Sequence, residues 1–338
     1  MQNDHAGTDR IFTATKLGSA AWVLLLILNS THFLELGVIP LAVLLAPLVI
    51  VPFGLMLYRQ ILHARASRIP ATIQAAAMLS GAVLAAASFA IPNGIASAAM
   101  AAVWLAISGV ISLLELSNLK CSELPFVQKI CFGAAFLYLP IGAVWLVASR
   151  FGISPMGFEE PLVLSTAAHF HFSGFAAPLL VGFGFYALET SRPELRRFYA
   201  PLAMGAAAGP AMIATGFMVS PGLKAGAAAI FSICLTGCSV LALLAVFDLW
   251  SGAARLFLSI STVSIFAGMV FACVYAFGDF AGKDWIGIPR MAELHGITNS
   301  FGYVLCGLLG WLVALESPEQ ATLPSGVCEL RASGACRS

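Results

Sequence analysis

Charge is what this chain has least of. Lys, Arg, Asp and Glu make up 10% of its 338 residues, while 60% are hydrophobic. A soluble domain carries about 25% charged residues, so too few are present to cover a water-exposed surface of this size. That excludes an ordinary soluble enzyme and a disordered scaffold. The formal net charge is +1, so there is no basic field to draw a nucleic acid, and no nucleic-acid partner is expected. Several motifs are missing too. There is no phosphate-binding Gly-rich loop with Lys, no Gly-x-Ser-x-Gly elbow and no paired DxxD for prenyl diphosphates. The chain holds six His in all, too few for the eight-histidine pattern of integral-membrane desaturases. Eight Cys are present, mostly within apolar segments or on one side of them, which does not read as a disulfide framework.

What is present is long apolar runs, and mean hydropathy is +0.93. A helix needs about 20 apolar residues to cross the hydrocarbon core. Ten segments qualify: 17–36, 38–57, 71–91, 94–115, 128–148, 162–187, 199–219, 226–248, 256–278 and 293–314. The expected fold is therefore all-α, a polytopic transmembrane helix bundle embedded in the lipid bilayer. Residues 1–16 read as an N-terminal segment, 17–315 as the ten-helix domain and 316–338 as a short disordered tail. Pro40, Pro47 and Pro52 mark the second segment as kinked or broken.

Basic residues give an orientation. Ten crossings place Arg150, Lys224, Lys283 and Arg290 on one side and the other thirteen of the 17 Lys and Arg on the other. Both termini are then cytoplasmic, in a bacterial inner membrane. His5 and His63 fall in cytoplasmic segments and read as solvated.

Ionisable groups inside spans are costly and by default suggest function. The first span carries Asn29, His32 and Glu35, which share a face of a regular helix. The sixth carries His169 and His171, and the tenth carries Glu293, His295 and Asn299. The orientation puts these groups within a layer roughly 10 Å deep near the outer side. Glu115 and Asp248 lie at cytoplasmic ends, where they can reach water. Taken singly, each histidine has a plainer reading as a helix-packing hydrogen bond. Their shared depth favours one site.

Neutral imidazoles with carboxylates suit a transition metal such as Fe, Cu or Zn. The expected ligands are His32, His169 and His295, with Glu35 as a fourth ligand or general base. Glu293 and Asn299 would assist the chemistry, and His171 would serve beside the site or bind a separate cofactor. His169 and His171 are about 200° apart on a regular helix, so they would not share an ion. Such a site would serve a metal- or haem-dependent enzyme, oxidative in character, on a hydrophobic or lipid-like small-molecule substrate. The alternative is a proton-coupled transporter that uses the same His and Glu as a relay.

Ala168-His169-Phe170-His171-Phe172 resembles the AHFHY segment of haem-copper oxidase subunit I. In that family the two histidines ligate two different haems, so the likeness implies haem as a cofactor. It covers about five residues, and the copper-site His-Pro-Glu segment is absent. Two longer motifs, Thr166 to Phe175 (TAAHFHFSGF) and His295 to Gly302 (HGITNSFG), resemble the YndJ-like family of bacterial membrane proteins. That resemblance implies a polytopic membrane fold and places His169, His171, His295 and Asn299 in family motifs. Members are sometimes labelled transporters on topology alone.

Overall fold

A computed structural model describes residues 2–62 and 69–317. Among them, ten helices are long and apolar enough to cross a membrane. They are α1 (Arg10–Ser30), α2 (Val38–Ile61), α3 (Ala71–Ala90), α4 (Ile95–Lys120), α5 (Phe126–Phe151), α6 (Leu162–Ser191), α7 (Pro193–Val219), α8 (Pro221–Leu249), α9 (Gly252–Phe280) and α10 (Ile288–Glu316). The fold is all-α and polytopic, as the apolar runs require: in lipid a spanning segment must satisfy its own backbone. His63, the side chain of His5 and the tail beyond Ser317 lie outside the described residues.

The spans form two compact units. Unit one comprises the residues up to Glu115 together with Phe136–Ala176; unit two comprises Leu116–Ala135 and everything from Ala177. In unit one, Phe136 meets Tyr58 edge-on at 4.9 Å and Phe175 at 6.0 Å. In unit two, Trp311 packs against Trp250 at 5.7 Å and Phe183 at 5.8 Å. α6 is the most enclosed span, with 89% of its apolar window buried.

Two local findings bear on the site. First, α1 stops at Ser30, six residues before the end read from hydropathy. His32 adopts a left-handed φ of 60°, and the Phe33 and Leu34 amides turn back onto the Leu28 carbonyl. The Asn29 side chain accepts from the Leu36 amide at 2.7 Å. His32 and Glu35 are therefore exposed loop residues, and the expected helix face joining them to Asn29 does not exist.

Second, α2 widens into a π-helical turn at Ala46–Ile50, which contains Pro47. Pro52 has no N–H to give the Leu48 carbonyl in an α turn. That carbonyl lies against Gly18 of α1, where an added Cβ would come 1.9 Å from the oxygen. The obstacle is backbone, so it cannot rotate away. Gly18→Ala is expected to lower stability by about 1–3 kcal/mol through overpacking, read as a lower unfolding midpoint in detergent. An unchanged midpoint would mean the two helices do not approach this closely.

Candidate functional site

Both histidine motifs run into π-helical stretches, with His169 the last α-helical residue before the first of them. One spans Phe170–Ala176 in α6, and two more occupy Ala292–Gly296 and Thr298–Leu305 in α10. Such turns bond i to i+5, are rare, and recur at functional sites. Those of α6 and Thr298–Leu305 are seven and eight residues long, beyond a single turn. Angles computed for a regular helix, including the 200° between His169 and His171, do not apply across them.

In unit one, His171 is fully buried. Its Nδ1–H donates to the Ala167 carbonyl at 2.8 Å, because a carbonyl only accepts. That leaves Nε2 as the acceptor, and it takes the Trp104 indole N–H at 3.1 Å. Gly142 of α5 makes room for the ring; a Cβ there would lie 2.6 Å from Nδ1. Both ring nitrogens of His171 are thus engaged. A haem axial ligand needs a free lone pair, and this arrangement does not fit one. His169 is half-buried, with its ring edge-on to Phe170 at 5.5 Å.

Unit one also holds a charged pair that reverses one expectation. Glu115 does not reach water: its side chain is 0% exposed and pairs with Arg59 of α2. Arg59 in turn donates to Gln74 of α3 at 3.0 Å. Asp248, by contrast, is 39% exposed and pairs with Arg192.

In unit two, His295 donates from Nδ1 to the Gly268 carbonyl of α9 at 2.8 Å. Nε2 is then a lone pair, and the Asn299 amide nitrogen one turn on lies 3.1 Å from both ring nitrogens. Asn299 is 8% exposed, and its Oδ1 is buried without a hydrogen-bond partner. Gly268 makes this possible, since a Cβ there would lie 2.1 Å from that oxygen. Glu293 turns instead to Arg290 at 2.9 Å, both partly exposed.

Lys224, placed by the sequence only on the side with fewer basic residues, is buried at the start of α8. Its ammonium meets Asp279 at 2.7 Å and lies over the rings of Phe217 at 4.4 Å and Tyr275 at 4.9 Å. Sequence reading missed both Glu115 and Lys224. The position of Glu115 near a span end suggested water, Lys224 was used only for orientation, and the partner side chains give both their setting.

His32, Glu35, His169 and His171 belong to unit one; Glu293, His295 and Asn299 belong to unit two. Among the described residues, no three His, Cys, Asp or Glu side chains gather closely enough to hold a metal ion. What the structure does bring together is His295 with Gly268 and Asn299, and His171 with Trp104 and Ala167.

The family described as YndJ-like protein matches residues 41–303. The "Uncharacterized membrane protein YndJ" of Bacillus subtilis (strain 168) is 28% identical over 193 residues, which are 57% of this chain and 34% of that protein. The chain thus spans about a third of that relative's length (34%). No solved structure matches. The matched region covers most of the spans, and the chain belongs to the YndJ-like family of membrane proteins.

Proposed function

We propose that this YndJ-like membrane protein is a transporter that moves protons across the membrane, in which His295 carries the proton and Asn299 answers its charge. One observation carries the reading. His295 holds one nitrogen on a carbonyl and keeps the other as a lone pair beside a side chain that can either donate or accept. A proton adds to Nε2 while Nδ1–H stays on the Gly268 carbonyl. Asn299 then turns its amide so that Oδ1, which has no partner in the neutral state, accepts from the new Nε2–H. Hydrogen bonding to the charged form favours it, which is what a buried imidazolium needs. Loss of the proton reverses the turn. The π-helical turns around His295 support the reading, because they loosen the spacing along α10. The bias of basic residues supports a bacterial inner-membrane protein with both ends of this chain in the cytoplasm.

The alternative is the metal-enzyme reading. It asks for Fe, Cu, Zn or haem and a hydrophobic substrate. Nitrogen NMR of histidine-labelled protein in bilayers, together with metal analysis, separates the two. The expected His295 signal, assigned by its loss in His295→Gln, is a neutral ring protonated at Nδ1 that converts to imidazolium on acidification. A metal-shifted ring with about one ion per chain would replace this reading with the metalloenzyme. A ring that never takes a proton while the protein stays folded would overturn it outright.

A further inference from the structure

We propose that Lys224 and Asp279 form an acid-released latch that closes the outer end of unit two, a regulation that rests on the proton-carrying reading of His295. Lys224 stands in the first turn of α8 and Asp279 in the last turn of α9. The bias of basic residues supports an outer position for both. α7 joins them through Phe217, whose ring lies 6.3 Å from that of Tyr275 at 22°. The Lys224 ammonium sits over both rings, at 4.4 and 4.9 Å, and meets Asp279 at 2.7 Å. One cation thus gathers the ends of three helices. On α9, Gly268, Tyr275 and Asp279 fall at i, i+7 and i+11, on one face. The latch therefore acts on the helix whose Gly268 carbonyl holds His295.

Two asymmetries make this contact releasable. The first is exposure: the side chain of Lys224 is 8% exposed and that of Asp279 41%. A proton from water reaches the carboxylate while the ammonium stays enclosed. The second is partners. Among the described residues, Asp279 is the one carboxylate in ion-pair range of Lys224. A proton added to an Asp279 oxygen leaves a buried cation facing rings alone, and a buried charge stripped of its partner is strongly unfavourable. The long lysine stem then lets the ammonium swing out to water. Little apolar area opposes that release. Beneath the pair the three helices meet through Ala225, Ala228 and Ala276, with Ile213 packed on them, and alanines bury little surface. A Cβ at Gly216 would lie 2.6 Å from Lys224 Cα, so α7 and α8 close on backbone rather than on bulky side chains. The other charged and titratable groups at this end are Tyr275, Lys283 and Asp284 on α9 and the turn after it, and Arg290 with Glu293 at the start of α10. Tyr275 feels the charges of both Asp279 and Asp284. Arg290 and Glu293 pair with each other at 2.9 Å. The outer end of α7 carries no titratable side chain, and that of α8 none besides Lys224.

Hydrogen exchange read by mass spectrometry in lipid nanodiscs follows the latch without reference to flux. The reference is a Lys224→Met, Asp279→Leu variant at the same pH, whose two apolar side chains stay packed in acid. The amides at the start of α8 and the end of α9 are expected to exchange several-fold faster in the acidified native protein than in that variant. Asp279→Asn should bring the fast exchange to neutral pH. The double variant, held shut, should also carry several-fold less proton flux into liposomes. Native helix ends that exchange no faster in acid than those of the double variant would overturn the latch. So would a double variant with native flux, and the His295 reading would survive either result. Acid opening without any native proton flux would leave the latch standing and remove the proton-carrying reading beneath it.

Discussion

Glu115→Ala destabilises the protein by about 3–5 kcal/mol, because it leaves Arg59 buried without a counter-charge. The Glu115 side chain is 0% exposed and that of Arg59 only 14%. Gln74 can still accept from Arg59, but an amide does not neutralise a guanidinium. The Glu115 side chain is fully enclosed between helices, so water does not reach the pair as it would at a surface. The double change Arg59→Met with Glu115→Leu should recover most of the loss, since a buried pair replaced by apolar groups of similar size is often neutral. Unfolding midpoints in detergent test both. If the double variant falls as far as Glu115→Ala, the loss does not come from an uncompensated Arg59 charge.

Gly268→Ala should reduce proton flux by roughly 100-fold, the lower range for loss of a positioned proton-transfer group, while changing stability little. The new Cβ would sit 2.1 Å from Asn299 Oδ1. That atom ends a short flexible side chain, so the amide swings aside and the fold yields cheaply. What is lost is the Asn299 position beside His295 Nε2. Relieving the clash with Asn299→Ala in the same chain should restore packing but not flux, because the group that answers the imidazolium is gone. Both changes remove the same contact, so their losses of flux should not add: the coupling is large for flux and small for stability. Full flux in Gly268→Ala would show that Asn299 has no part in the transfer. Comparison of flux with the unfolding midpoint in each single and double variant supplies the cycle.

The spans were legible because lipid imposes one rule, backbone satisfaction over about 20 residues, and composition reports it directly. The distortion of α2 was legible too, through Pro47 and Pro52. The end of α1 was not. Phe33, Leu34 and Leu36 continue the apolar run past Ser30, and hydropathy carries no stop signal for the left-handed turn at His32. The π turns of α10 have no proline inside them, so they come from packing that a single helix does not reveal. Glu115 was misread because its partner, Arg59, lies 56 residues away. In the same way, the sequence named His171 and His295 but not their roles. Those follow from Trp104, Ala167, Gly268 and Asn299, which decide where each imidazole proton sits.

Proton uptake by liposomes containing the purified protein, followed with an internal pH dye under an imposed gradient, bears most directly on the role of His295. The native protein is expected to acidify the lumen above empty liposomes, and His295→Gln to fall to the empty-liposome rate while unfolding at the native midpoint. Equal uptake by the native protein and a folded His295→Gln variant would contradict the account.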